Sequence, residues 1–270
     1  MSQFKFARRN ESGVTRTEDL AALLGAEALK DETWLCVSPH DDDIVMGAGL
    51  WQMAAIEAGA DVHLLVVTDG RMGYCSPRQR DAIVDIRKQE VYDSSRCLGL
   101  AESNVHFMGM PDCQLAQHQG RRRAAHNEDN IAGYTGLCNT FVHHLRKLRP
   151  DRVLVPAATD LHPDHQVTHN ELMISLFHAS GEIWPELGKP TPVPAVYELA
   201  VYCDFAQPPN LQVKSDDATF QKKLDAVAAY QSQLQIEQLV AKLRDAGPTE
   251  YLHEVAFNFY SPTTYHKLFE

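Results

Sequence analysis

The chain has 270 residues, which is long enough to bury one substantial hydrophobic core. Apolar residues make up 44% of it and charged residues 23%, a balance that is typical of globular proteins and excludes a disordered chain. The formal net charge of −11 argues against nucleic acid and anionic membrane surfaces as partners, because both repel an acidic protein.

The cysteine content and the absence of apolar segments of membrane length point to a cytoplasmic protein. None of the six cysteines forms a CxxC pair, so we interpret them as reduced thiols. The first residues contain no apolar stretch of signal-peptide length. No run of 18 apolar residues predicts a transmembrane helix. The oligomeric state is left open, with a homo-oligomer among the alternatives.

The predicted elements alternate along about two-thirds of the chain. Apolar runs predict strands over residues 34–38, 62–67, 105–108, 153–155, 196–203 and 255–260. Spacing and capping signals predict helices over residues 18–29, 46–58, 80–98, 130–149, 162–177 and 220–233. This alternation indicates an α/β fold with a mostly parallel sheet flanked by helices. Without repeats or linker composition, we predict a single domain over residues 33–270, preceded by a polar lead-in over residues 1–32.

Two polar clusters follow predicted strands. His40, Asp41, Asp42 and Asp43 come directly after the first strand, and the segment Asp160-Leu-His-Pro-Asp-His165 follows the strand at 153–155. Ligands of open α/β sheets bind at the carboxyl ends of the strands. The sheet could therefore bring the two clusters together, although more than a hundred residues separate them.

The two clusters have the composition of a catalytic zinc site. Zinc binds imidazole nitrogen and carboxylate oxygen, and a catalytic site keeps three protein ligands and one open position. We predict one zinc ion per chain, bound by His40, Asp43 and His165. Asp42 is then free to act as general base on a water in the open position. His162 would face the substrate carbonyl from the other side, with Asp164 holding its imidazole.

Simpler explanations compete with each half of this site. Three aspartates after a strand often form only a solvated turn and a helix N-cap, and we assign Asp41 to that role. His169, one turn beyond His165, is interpreted as structural. Either cluster alone is weak, but both together after apolar strands favour a metal site.

These motifs resemble those of the LmbE-like (PIG-L) zinc de-N-acetylases. The resemblance rests on His40-Asp-Asp-Asp43 after strand one and on His162-Pro-Asp-His165. It extends to Thr68-Asp-Gly-Arg-Met-Gly73 after strand two and to a helix with an Arg-x-x-Glu motif that ends in Leu-Gly. It also includes an Asp after strand three and, late in the chain, a Lys followed by the dipeptide Ser-Gln. The residues that match these further features are Arg87, Glu90, Leu98, Gly99, Asp112, Lys223, Ser232 and Gln233.

The resemblance implies a Rossmann-like fold and an N-deacetylase of the metal-dependent amidohydrolase type. The substrate it implies is a small-molecule N-acetylglucosamine-type sugar or glycoconjugate, cleaved to free amine and acetate. It also implies the ligand set given above, with Asp42 as base and His162 as oxyanion stabiliser or proton donor. By the same resemblance, Arg87 and Asp112 fall where members contact the sugar or the product acetate.

The chain departs from the family pattern at two single positions and in one two-residue stretch, and all of these departures bear on substrate orientation. Ile44 stands where many members have Glu, and Tyr230 stands where many have His. Asp160 and Leu161 occupy a stretch where some members place a Tyr. The predicted metal ligands are unaffected by these changes.

Other features of the sequence leave alternatives open. Arg121-Arg122-Arg123 could bind an anionic substrate group, although a solvated charge run is the more common explanation. Trp184, in the proline-rich stretch at 184–194, could stack on a sugar or belong to a rigid connector. Other candidate functions are a phosphoesterase-type metal hydrolase, which usually holds two metal ions, and a non-catalytic carbohydrate-binding relative.

Overall fold

The computed structural model describes residues 3–73 and 75–269 of the chain. Within them the chain forms a nine-stranded mixed sheet with helices on both faces, and a separate two-stranded ribbon. The strands are β1 (Phe4–Asn10), β2 (Gly13–Thr17), β3 (Thr33–Ser38), β4 (Asp61–Thr68), β5 (Val105–Met110), β6 (Arg122–Arg123), β7 (Tyr134–Thr135), β8 (Arg152–Pro156), β9 (Ala195–Leu199), β10 (Leu211–Ser215) and β11 (Thr249–Val255). The helices are α1 (Leu20–Leu24), α2 (Asp43–Glu57), α3 (Ile83–Leu98), α4 (Leu137–Leu148), α5 (Pro163–Ser180), α6 (Asp217–Ala228) and α7 (Ile236–Ala246).

The large sheet has a parallel half and an antiparallel half. Its order is β2-β1-β10-β11-β9-β8-β3-β4-β5. The strands from β9 to β5 pair in parallel, and those from β2 to β9 pair antiparallel. The predicted α/β fold is confirmed, but the sheet is mixed because the two ends of the chain add antiparallel strands to one side of the parallel core.

Several element boundaries differ from the predictions. The polar lead-in contributes β1 and β2 to the sheet in addition to a helix, which is shorter than predicted. The predicted helix over 130–149 begins only at Leu137, since Gly133 and Gly136 have positive φ in the loop before it. The closing strand ends at Val255, close to where it was expected to begin. β10 and α7 were not predicted.

The core lies on both faces of the parallel strands. Along β3, Trp34 and Cys36 point into a core formed with α1, α2, α3 and α6, while Leu35 and Val37 point into a second core formed with α4 and α5. Side chains alternate between the faces of a strand, so a strand covered on both sides must be apolar throughout. This explains the uninterrupted apolar runs from which the strands were predicted.

Helix α2, which begins in the first polar cluster, is broken at Ala48 (φ −144°). The break frees backbone groups that a regular helix would pair. Lys223 Nζ donates to the Met46 carbonyl at 2.9 Å, and Glu250 Oε2 accepts from the Leu50 amide at 2.9 Å. Lys223 and Glu250 are both buried and form an ion pair. This pair therefore holds the first turn of α2, and with it the polar cluster, in place.

We expect Glu250→Gln to lower the free energy of unfolding by about 3 kcal/mol, because it leaves the buried Lys223 ammonium without its counter-charge. Urea denaturation measures this change. Glu254→Gln is the matched control, since Glu254 lies on the same strand in a partly exposed pair with Arg8 and should cost less than about 1 kcal/mol. Equal losses in the two variants would contradict this role for the pair.

Candidate active site

The two polar clusters meet at the carboxyl edge of the parallel strands, where β3 and β8 are neighbours. His40 Nδ1 lies 3.1 Å from His165 Nε2 and 3.2 Å from Asp43 Oδ2. His165 Nε2 lies 3.1 Å from the same Asp43 oxygen. The atoms of the three predicted metal ligands thus form a nearly equilateral triangle.

This triangle fits a divalent metal ion. Four ligands at 2.0–2.1 Å around a tetrahedral zinc lie about 3.3 Å from one another, close to the separations found here. Asp43 is fully buried, and its Oδ1 has no hydrogen-bond partner among the described residues. Burial alone would raise the pKa of Asp43, but His165 and His40 hold it well below its usual value. The carboxylate is therefore ionised, as a metal ligand must be.

Carboxylates also face the outer nitrogens of the two imidazoles. Asp160 Oδ2 lies 3.3 Å from His165 Nδ1. Asp112 Oδ1 and Asp164 Oδ2 lie 3.4 and 3.6 Å from His40 Nε2. Metal-binding histidines commonly present their second nitrogen to a carboxylate, which orients the ring and increases its basicity. Asp160, to which no role was assigned from the sequence, is in the position to do this for His165.

Asp42, the predicted base, is half-buried beside the triangle and lines the adjoining cavity. Gln233 Nε2 donates to Asp42 Oδ2 at 2.7 Å. Burial and the neighbouring charge of Asp43 raise the pKa of Asp42 above its usual value. In the sequence, Gln233 is part of the late Ser-Gln motif. Its contact with Asp42 spans 191 positions, so spacing alone does not predict it.

His162, the other predicted catalytic residue, lies against the metal triangle. Its ring centroid is 4.5 Å from that of His40. Burial, together with His40 and His165, lowers the pKa of His162, which favours the neutral imidazole. His162 Nδ1 accepts a hydrogen bond from the Asp164 backbone N–H at 3.2 Å. The neutral ring must therefore carry its proton on Nε2, where it can donate.

The carboxylate of Asp164 does not hold the His162 ring as predicted. It accepts hydrogen bonds from the backbone amides of Cys113 (2.7 Å) and Leu115 (3.3 Å) and lies beside His40 Nε2. Asp164 is the second residue of α5, and its amide rather than its side chain contacts His162. Asp164 thus ties the loop after β5 to the metal triangle.

Asp41 is not the solvated turn residue that the sequence suggested. It is buried, and its carboxylate accepts a hydrogen bond at 3.0 Å from Arg87. Burial and the adjacent Asp42 raise the pKa of Asp41 to about 7. The predicted substrate contacts Arg87 and Asp112 both line the cavity. Arg87 is already engaged by Asp41, and Asp112 accepts from the Met72 amide at 3.0 Å.

The remaining sequence candidates lie outside the cavity lining. Arg121 is paired with Glu186 and stacks against Tyr134 and Trp184, with its guanidinium carbon 3.5 and 4.7 Å from their ring centroids. Arg122 is paired with Glu128. These contacts favour the structural explanation for both arginines and for Trp184. His169 lies 3.0 Å from Glu198, as expected of a structural histidine.

Tyr202 is a cavity residue that the sequence did not reveal. It follows β9 and is 61% exposed, and its ring centroid lies 5.1 Å from that of His165. Asp160 Oδ2 accepts a hydrogen bond from the Tyr202 amide at 3.0 Å, so the same carboxylate contacts both the His165 ring and this loop. No motif surrounds Tyr202, and only the adjacency of β8 and β9 brings it to the site.

The fold and the site define an α/β protein with a buried His–Asp–His set at the carboxyl edge of its sheet, suited to a divalent metal ion. Residues 35–175, just over half of the chain, match the family model described as "PIG-L: GlcNAc-PI de-N-acetylase". The chain belongs to this family, which confirms the resemblance drawn from its motifs. None of the described helices is long and apolar enough to cross a membrane.

One curated relative is 1D-myo-inositol 2-acetamido-2-deoxy-alpha-D-glucopyranoside deacetylase of Kineococcus radiotolerans. It is 29% identical over 207 residues, which cover 69% of this chain and 57% of the relative. The chain therefore spans less than two-thirds of that protein.

Two solved structures share the fold. N,N'-diacetylchitobiose deacetylase from Pyrococcus horikoshii has a TM-score of 0.69 at 23% identity, over 89% of this chain and 90% of the other. GalB, the 4-carboxy-2-hydroxymuconate hydratase from Pseudomonas putida KT2440, has a TM-score of 0.64 at 19% identity, over 85% of this chain and 98% of the other. The same fold is thus found in proteins named for different reactions.

We expect Asp43→Asn to weaken the binding of a divalent metal ion by about 100-fold or more, since it removes the charged member of the triangle. Asp160→Asn should weaken binding by about 10- to 100-fold, the effect typical of groups that orient a metal-binding histidine. Asp42→Asn is the matched control and should keep nearly the wild-type affinity. Calorimetric titration of the metal-free protein with zinc measures all three. An Asp42 variant that loses the metal while the Asp43 variant keeps it would reverse the two assignments.

Proposed function

We propose that the protein is a zinc-dependent N-deacetylase that removes the acetyl group from an N-acetylated amino sugar or glycoconjugate, leaving a free amine and acetate. The observation that carries the proposal is the placement of Asp42 and His162, both beside the His40–Asp43–His165 triangle and both lining one cavity. A base and a neutral donor beside a metal site are what amide hydrolysis requires.

The donor set supports zinc as the metal. Two imidazole nitrogens and one carboxylate oxygen form a common set for catalytic zinc, and three protein ligands leave a position open. When bound there, zinc supplies Lewis-acid chemistry: it lowers the pKa of water and polarises a carbonyl group. The charge of Asp43 and the outer carboxylates of Asp160 and Asp112 would stabilise the cation at this site.

Asp42 carries out both proton transfers, and His162 stabilises the charge that develops between them. Asp42 takes a proton from the attacking water at its carboxylate, which Gln233 holds in place. The water oxygen forms a bond to the acetyl carbon, and His162 Nε2–H donates a hydrogen bond to the carbonyl oxygen as negative charge develops there. Asp42, now protonated, passes its proton to the amide nitrogen as the carbon–nitrogen bond breaks. Acetate and the free amine are the products.

The substrates named for the relatives, together with N-acetylglucosamine itself, provide the direct test. We expect release of free amine and acetate from at least one of N-acetylglucosamine, N,N'-diacetylchitobiose and an N-acetylglucosaminyl-inositol, when the protein holds one zinc ion per chain. Metal removal should abolish the reaction, and added zinc should restore it. Absence of amine release from all three and from alkyl glycosides of N-acetylglucosamine, in a protein confirmed to hold zinc, would overturn the proposal. Two ions per chain with phosphoesterase activity would favour the alternative metal hydrolase.

We expect Asp42→Asn and His162→Ala each to reduce kcat by about two to four orders of magnitude while zinc is retained, because each removes a group that acts on the reacting atoms. The measurement is kcat for amine release, with the zinc content determined on the same samples. His126→Ala is the control, since His126 lies in an exposed loop and should leave kcat unchanged. Near-normal turnover in His162→Ala would assign the donor role to another group.

A further inference from the structure

The cavity beside the metal triangle continues past the polar site onto an apolar wall. Its volume is about 590 Å³, within the range of sites that take drug-sized ligands and larger than a single sugar ring needs. The lining includes the aspartates and histidines described above. It also includes four apolar side chains, Met46 and Val201 and the α7 residues Leu239 and Leu243.

The apolar side chains of α7 are only partly covered by the protein. Leu239 and Leu243 stand four residues apart, so they lie on one face of the helix, and both remain half-buried. No residue of α7 is fully buried. Met72, which also lines the cavity, is 60% exposed. A ligand that covers these groups gains the free energy of removing apolar surface from water.

Helix α7 also presents a cation to the cavity. Lys242 lies between the two leucines in sequence, lines the cavity, and has no ion-pair partner among the described residues. The other basic side chain of the lining, Arg87, is bonded to Asp41. Lys242 is therefore available to a negatively charged group on a ligand, at a site whose remaining charged side chains are mostly carboxylates.

We propose that the substrate is an N-acetylated amino sugar whose aglycone is apolar and ends in an anionic group. This inference rests on the proposed deacetylase function, because it places the acetamide at the metal triangle and the aglycone along α7. A second sugar in that position would set hydroxyl groups against Leu239 and Leu243, whose side chains offer no hydrogen-bond partner. An alkyl or aromatic aglycone matches this wall, and a terminal carboxylate, sulfate or phosphate would pair with Lys242.

The first test compares the methyl and octyl glycosides of N-acetylglucosamine, with the same anomeric configuration and below the micelle concentration of the octyl compound. We expect kcat/KM to be at least about tenfold higher for the octyl glycoside, the gain produced by burying about two methylene groups. Leu239→Asn should reduce this octyl-to-methyl ratio by about fivefold. Leu234→Asn is the matched control, because Leu234 is 71% exposed and does not line the cavity.

The second test adds a carboxylate to the end of the alkyl chain. The carboxyalkyl glycoside should be preferred over the plain octyl glycoside by about threefold, the effect of one partly solvated ion pair. Lys242→Glu should reverse this preference. A salt titration should weaken the preference, since screening acts on exposed charges.

Equal kcat/KM for the methyl and octyl glycosides would overturn the inference while the proposed function stands. A Leu239→Asn variant that lowers kcat/KM equally for both glycosides would also overturn the inference and leave the proposed function intact. Octyl glucosaminide is the product of the octyl glycoside and is not turned over. Its binding, measured by calorimetry, separates the proposal of an apolar site from the proposal of a deacetylase. Tight binding of this product that Leu239→Asn weakens, without amine release from any glycoside, would retain the apolar site and reject the deacetylase. Absence of binding would reject the apolar site.

Discussion

The structure depends on one costly arrangement, a fully buried carboxylate at the edge of the sheet. Asp43 has no exposed surface, and burying an unpaired carboxylate costs several kcal/mol in typical proteins. Two imidazoles, His40 and His165, lie within 3.2 Å of it and offset that cost. They can do so only because β3 and β8 are adjacent and parallel, so that both loops end at the same edge. The topology of the sheet is therefore a condition for the site.

The surrounding network extends this constraint to distant parts of the chain. Ser232 donates to Glu90 from both its backbone amide (2.6 Å) and its hydroxyl (2.7 Å), which fixes the segment that presents Gln233 to Asp42. Asp41 is held from two sides, by Arg87 at its carboxylate and by the Tyr230 hydroxyl at its carbonyl. Tyr230, a departure from the family pattern, thus supports the backbone of the first motif. Each aspartate of that motif has a different partner, and this gives three adjacent, chemically identical residues three different environments.

The sequence predicted those parts of the fold that follow from local pattern. The parallel strands are apolar on both faces, so their apolar runs predicted them. Helix α3 ends at Gly99, which has the left-handed conformation that glycine favours, so its end was also predicted. β1 and β2 escaped prediction because they lie toward the edge of the antiparallel half, where β2 is largely exposed and polar. The loops that carry the site residues were also predicted. The partners of Asp41 and Asp42 were not, because Arg87 and Gln233 lie 46 and 191 positions away and only tertiary structure joins them.

The site divides between the part of the chain that matches the family model and the part that follows it. The triangle, Asp42, His162, Arg87 and Asp112 all lie within residues 35–175. Val201, Tyr202 and the lining residues of α7 lie beyond that match. Catalytic groups must keep their geometry to within fractions of an ångström, whereas a wall that covers the far end of a ligand needs only complementary surface. Under the proposed function, substrate choice can therefore change through α7 while the polar edge of the sheet stays the same, which is consistent with relatives that carry different substrate names.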